Sequence, residues 1–418
     1  MKRSNLQITL LCLAALTATS CSNENDPIDK GGNGTGNNEP VELGITAGVS
    51  LTKSAINGGE QTGAYAPDTT MKHVTVYAVG NNDYTEAKKN NYAIYTRAEN
   101  TATWSNTADA PKIYLTNEKA TIYAFHPAHK PGNTSEMKDN TEPLTVSNFT
   151  ADSKISISVY PGAADKDSAI ITVSPNNANK IHDGSSWKDN PKANSILSAK
   201  GEVDYMWATP VADRYNGKSN TTAETDKHKA DLVMNHAMSM VSFRIYNDGT
   251  YNGNGRLSKI VLSNTDNQGT ALNKGNGPEM AVKDGTITLG DNPEAVTYTR
   301  MIKDESNNAY FTLKKKGDTN PSISSADDAK NASPKFSILV MPDANASAKN
   351  TIQAKFTIDG ADYTVPLASD GTSTVQWDKG KNNIYTVKLS GTELEITSVK
   401  VQAWTPNDVT NGSDLEAK

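Results

Sequence analysis

The chain has 418 residues, of which 36% are hydrophobic, and carries a formal net charge of −6 from 41 basic and 47 acidic residues. That length exceeds what one hydrophobic core fills and fits two domains. The acidic balance argues against nucleic acid as a partner, since a phosphate backbone is held by clustered Lys and Arg.

Lys2 and Arg3 precede an apolar run from Ile8 to Leu16, and Ala18, Thr19 and Ser20 lead to Cys21. This is the layout of a secretory signal over residues 1–20, its apolar run too short for a stable membrane-spanning helix. The Ala-Thr-Ser-Cys stretch resembles a bacterial lipobox, with Ala18 where Leu is usual, so Cys21 is the expected lipidation site. Cleavage there removes Lys2, Arg3 and Cys12, making the chain two charges more negative and leaving it a single cysteine. An internal disulfide is thereby excluded, and shape must come from burial and sheet hydrogen bonding. The segment Ser22 to Asp26 resembles the acidic tag of surface-exported lipoproteins, which points to the outer membrane and cell surface. Gly and Asn dominate Lys30 to Pro40 and cannot bury a core, so 21–40 reads as a flexible tether.

From Val41 the pattern changes. Val41, Leu43, Ile45, Ala47, Val49 and Leu51 occupy odd positions and Lys53 follows, which predicts a half-buried strand ending beside a protease site. Cleavage between Lys53 and Ser54 would free the rest of the chain from its tether. Short alternating runs recur at Val74 to Val76, Ile155 to Val159, Ile352 to Ile358 and Tyr363 to Leu367, bounded by turn residues. No stretch carries a helical period. The expectation is an all-β protein of two tandem antiparallel β-sandwich domains, 41–220 and 221–418, divided in the polar stretch Asp213 to Lys229. Gly132 to Pro143, Asn176 to Asn194 and Asn264 to Gly277 are expected loops. The third lacks the acidic spacing of a calcium site.

The last alternating segment spans 393–404. Leu394 and Ile396 lie on even positions, whereas Val399, Val401 and Ala403 lie on odd ones. A parity change of this kind requires a bulge or a break at Thr397-Ser398.

Nothing in the sequence assembles a catalytic or metal set: there is no nucleophile elbow, no His-Glu-x-x-His and no phosphate loop. His126 and His129 have no third ligand beside them, and His236 is expected to pack at the start of a strand. No enzyme activity, metal or cofactor is expected.

Several segments resemble the fimbrillin family, the subunits of the type V pili of Bacteroidota. They are Asn235 to Ile245, Ile338 to Pro342, Trp377 to Gly380, Tyr385 to Leu389 and Val399 to Trp404, with Ile122 to Pro127 and Asp204 to Ala208 in the first half. The resemblance implies two transthyretin-like sandwiches, a homopolymer or mixed pilus as partner, attachment as the role, and assembly by strand exchange. A protease would remove Val41 to Leu51, with Lys53 in place of the family's usual Arg. The vacated groove would then accept a neighbour's 393–404 segment through Leu394, Ile396, Val399, Val401 and Ala403. Such a contact is head to tail and forms a filament.

A different reading gives a pilus tip adhesin or a carbohydrate-binding surface lipoprotein that does not polymerise, with a host or bacterial ligand; a further one keeps Val41 to Leu51 as the first strand of a permanently anchored surface lipoprotein, with Lys53 an exposed turn residue. Trp104, Trp187 and Tyr215 lie in or beside polar stretches and carry rings able to stack on sugars, although core packing is the commoner role of such rings. Asp68-Thr69-Thr70 and Asp167-Ser168-Ala169 resemble a short O-glycosylation motif.

Overall fold

A computed structural model describes residues 40–49, 73–80, 91–97, 103–106, 112–128, 149–173, 180–182, 187–189, 196–199, 201–217, 227–265, 271–292, 294–304, 306–319, 322–342, 351–368, 375–391 and 393–403. The described chain is almost entirely β, with one helix longer than a turn, Ala326–Ala332. That helix begins at a capping box, in which the Ser325 hydroxyl accepts from the Asp328 N–H and the Asp328 carboxylate accepts from the Ser325 N–H.

Three sheets carry most of the strands. The largest has eight, running Gly44–Val49, Lys229–His236, Met206–Ala208, Ala120–His126, His73–Val79, Tyr92–Arg97 and Trp104–Ser105, with Val211–Arg214 also paired to Ala120–His126. Its central strands are covered on both faces, and the period of two divides their side chains between two cores. Val74, Val76, Ala78, Ile122 and Ala124 fill one core, while Tyr77, Tyr123 and Phe125 fill the other.

A five-stranded sheet of Ile196–Leu197, Lys335–Val340, Ser239–Asn247, Lys381–Ser390 and Glu393–Ala403 packs over a six-stranded one built around Arg256–Asn264 and Ile352–Ile358. Their inner faces share one core, in which the Phe243 and Phe356 rings meet edge to face at 5.3 Å. Asn264 lies within the strand rather than in a loop, and its side-chain amide donates to and accepts from the Leu272 backbone.

Several expectations change. Most pairings are antiparallel, but four pairings between described strands are parallel, each joining segments remote in sequence. A parallel pair needs a long crossover, which local alternation does not encode. The run Leu232 to Tyr246 is two strands, because the chain leaves the eight-stranded sheet at His236 and enters the five-stranded one at Ser239. His236 therefore ends a strand rather than starting one, and its Nδ1 lies 2.9 Å from the buried Asp204 carboxylate. Within Asn176 to Asn194, Lys180–His182 and Trp187–Asp189 pair as a small hairpin. The strands flanking residue 220, Val211–Arg214 and Lys229–His236, lie in the same sheet, and Lys154–Ser156, Ile170–Val173 and Ile196–Leu197 pair with strands from the second half.

A buried ion pair ties the halves together. Arg300 donates from Nε to Glu202 at 2.8 Å and from its terminal nitrogens to the carbonyls of Tyr160, Pro161 and Thr299. The second Glu202 oxygen accepts from the Leu339 N–H at 2.8 Å. Burial pushes the Glu202 carboxyl upward, against the pull of the guanidinium and the Leu339 N–H.

Candidate assembly interface

The candidate interface comprises the two ends of the described chain. Gly44–Val49 pairs in parallel with Lys229–His236, from Gly44 opposite Lys229 to Val49 opposite Met234. Just before it, Val41–Glu42 pairs antiparallel with Tyr114–Leu115. The alternation sets the facing: Leu43, 1% exposed, and Ile45 enter the core beside Ala230, Leu232, Met234 and Tyr95, while Thr46 faces outward and donates to Asp231.

The other side of this segment is held by side chains and single backbone bonds. The Tyr95 hydroxyl donates to the Leu43 carbonyl at 2.7 Å, and the Trp104 Nε1–H donates to the Ala47 carbonyl at 3.2 Å. Leu43 N–H donates to the Ile113 carbonyl, and Lys112 forms a 2.8 Å ion pair with Glu42. Burial, and after it the Glu42 charge, pushes the Tyr95 phenol upward, so it remains a donor. The first strand is thus one end of the eight-stranded sheet, paired to Lys229–His236 and pinned by Tyr95 and Trp104 from the two strands at the other end.

Trp104 is consequently no sugar platform: it is 7% exposed, its N–H holds the first strand and Arg97 lies over its ring. Tyr215 is half-buried, with its ring lying over Gly217. Trp187 sits in the small hairpin.

The terminal strand, Glu393–Ala403, forms the free edge of the five-stranded sheet, antiparallel to Lys381–Ser390. Its parity change is absorbed by a bulge. Thr386 pairs with Ser398 and Val387 with Ile396, leaving Thr397 without an opposite residue. The consequence is that Leu394, Ile396, Val399 and Val401 stand opposite Leu389, Val387, Tyr385 and Asn383, all four on one face, and the register continues to Ala403 opposite Lys381. Leu394, Ile396 and Val399 are half-buried against the core, whereas Val401 is 51% exposed. Cys21, Lys53 and Ser54 lie outside the described residues. Among the described residues, no group of three or more His, Cys, Asp or Glu is placed to hold a metal ion, and no helix is long and apolar enough to cross a membrane.

The residues that sequence reading missed are those gripping the first strand: Tyr95, Trp104 and the 229–236 edge. Their one signal was that two bulky rings and an alternating strand each needed a partner.

A family model described as fimbrillin-like matches residues 52–404, most of the chain. The chain belongs to the fimbrillin-like family. No curated protein matches it in sequence. It is similar to a proposed cell adhesion protein from Bacteroides uniformis, 16% identical, with a TM-score of 0.48 over 88% of this chain and 99% of the other. A fimbrial protein from Bacteroides vulgatus is 10% identical, with a TM-score of 0.46 over 88% of this chain and 100% of that one. The tip fimbrial protein Mfa3 from Porphyromonas gingivalis, with a C-terminal truncation, is 10% identical, with a TM-score of 0.38 over 88% and 100%. Membership places this fimbrillin-like chain among fimbrial and adhesion proteins, a structural class associated with pilus subunits at the cell surface.

Proposed function

We propose that this fimbrillin-like protein is a pilus subunit that polymerises head to tail by strand exchange and mediates attachment. It is exported as an outer membrane lipoprotein through Cys21. A protease cuts between Lys53 and Ser54, the first strand leaves, and the 393–404 segment of a neighbour fills the groove. No catalytic chemistry is involved.

The observation that carries this reading is the position of the first strand. It is one element at a sheet edge, yet it supplies Leu43 and Ile45 to a core. Removing it would expose the 229–236 edge, a row of unpaired backbone groups above Ala230, Leu232 and Met234, which templates another strand. The family match begins at residue 52, immediately after this segment.

The donor side has a matching chemistry, with Leu394, Ile396, Val399 and Val401 brought to one face by the Thr397 bulge. Leaving Lys381–Ser390 costs the donor one ladder and entering the groove forms another. The net gain comes from refilling the apolar groove, at about 1.5–3 kcal/mol for each large side chain buried. The test is mass spectrometry of the N-terminus of protein recovered from the cell surface. A chain beginning at Ser54 supports the reading, and one beginning at acylated Cys21 with its first strand intact overturns it in favour of a static surface lipoprotein.

A further inference from the structure

A cleft of about 260 Å³ opens beside the start of Arg256–Asn264, lined among others by Asn254, Arg256, Ser258, Tyr310, Asp359 and Gly360. Asp359 and Gly360 form the two-residue turn between Ile352–Ile358 and Ala361–Pro366, with φ of 50° and 83°. Positive φ at both positions is what a tight hairpin of this hand requires.

The turn fixes the cleft. The Asp359 carboxylate accepts from the N–H groups of Gly255 at 2.9 Å and Arg256 at 3.0 Å, and from the Tyr251 hydroxyl at 2.9 Å. Three donors neutralise much of its charge toward the cleft and lock the backbone from which Arg256 projects. The Arg256 guanidinium then lies over the Tyr310 ring, 4.6 Å from its centroid. Tyr310 is itself positioned by Phe311–Thr312, which pairs with Arg256–Leu257.

The guanidinium is exposed and, among the described residues, makes no hydrogen bond or ion pair. An arginine held flat by stacking keeps its planar fork free, and that fork matches a carboxylate bidentately. The rest of the lining sets an amide, a hydroxyl and a carboxylate beside the apolar carbon of Ala309 and the Tyr310 ring. Such a wall suits the hydroxyls of a sugar ring and offers a peptide neither a strand edge nor an apolar socket.

We propose that this cleft binds a carboxylate-bearing sugar, with Arg256 gripping the carboxylate across the Tyr310 ring and Asn254, Ser258 and Asp359 meeting the ring hydroxyls. The site does not depend on the strand-exchange reading, and its test reads binding rather than fibre growth.

The purified protein is titrated calorimetrically with glucuronic acid, and in parallel with glucose and with acetate. Saturable binding of glucuronic acid is expected, at least tenfold tighter than that of either control. Arg256→Gln is expected to weaken it by about tenfold or more, the effect of losing a charge-assisted pair. Arg256→Lys, which keeps the charge without the fork, and Tyr310→Leu, which removes the plate, should each weaken it severalfold at an unchanged melting temperature. The absence of saturable binding, or Arg256→Gln binding as the parent does, overturns the proposal. Glucose equal to glucuronic acid removes the carboxylate from the recognition, and acetate equal to it removes the sugar; either result overturns it as well.

Discussion

The Tyr95 hydroxyl donates to the Leu43 carbonyl across 2.7 Å, with both residues buried, and so joins the first strand to a strand it does not pair with. Without this bond and the one from Trp104 to Ala47, the far side of residues 44–47 would hold little more than side-chain packing. Tyr95→Phe leaves a buried carbonyl unpaired at a cost of about 1–3 kcal/mol. We expect amide hydrogen exchange over residues 43–47 to quicken by roughly tenfold, with the strands of the 257–358 core unchanged. Equal protection in the variant would mean that the Tyr95 bond does not hold the strand.

The two ends of the chain have separable roles under strand exchange. Truncation before Glu393 should leave an exported monomer that accepts a donor but cannot extend a fibre, and Lys53→Ala should keep the first strand attached. Electron microscopy of sheared surface material reads both. Fibres from the truncated chain would remove 393–404 as donor, and fibres of normal length from Lys53→Ala would move the cut elsewhere.

Deleting Thr397 removes the residue that stands opposite nothing, while Leu394, Ile396, Val399 and Val401 stay on one face. The expected loss of stability is small, under about 1 kcal/mol, because one residue of irregular ladder disappears and no apolar side chain changes sides. Inserting one residue between Glu395 and Ile396 instead turns Leu394 toward solvent and should cost about 1.5–3 kcal/mol. Denaturant midpoints of the two variants distinguish these outcomes, and equal losses would discount the bulge.

Arg300 and Glu202 should behave as a unit. Arg300→Met alone leaves the Glu202 carboxylate buried without its cation and is expected to cost about 3–5 kcal/mol. Adding Glu202→Leu should recover most of that loss, because two well-packed apolar residues need no partner. A double variant no more stable than Arg300→Met would show that the carbonyls of Tyr160, Pro161 and Thr299 depend on the guanidinium more than the carboxylate does.

Asp359 gives a pH dependence. Burial alone would raise its carboxyl, but the N–H groups of Arg256 and Gly255 and the Tyr251 hydroxyl hold it below the usual carboxylate range. A carboxyl whose folded value is depressed stabilises the turn above its unfolded value of about 4, and that contribution is lost as pH falls through the folded value. Asp359→Asn, whose side chain tolerates the same positive φ, should therefore narrow the difference in melting temperature between pH 7 and pH 3. An unchanged difference would mean that the carboxylate contributes nothing to the acid response.

The class of structure and the facing of its strands were legible in the order of residues alone. Odd-numbered Leu43 and Ile45 are buried where alternation places them, Ile352–Ile358 is a strand over the same residues, and the parity change after Ile396 demanded the irregularity that Thr397 provides. These are period-two properties, carried by neighbouring residues and legible without knowing any partner. Only the tertiary structure decided which edge the first strand fills, that its partner Lys229–His236 runs parallel to it from far along the chain, and that Trp104 is a clamp. Pairing between remote segments depends on shape and burial summed over the whole sheet, so no local pattern of side chains records it.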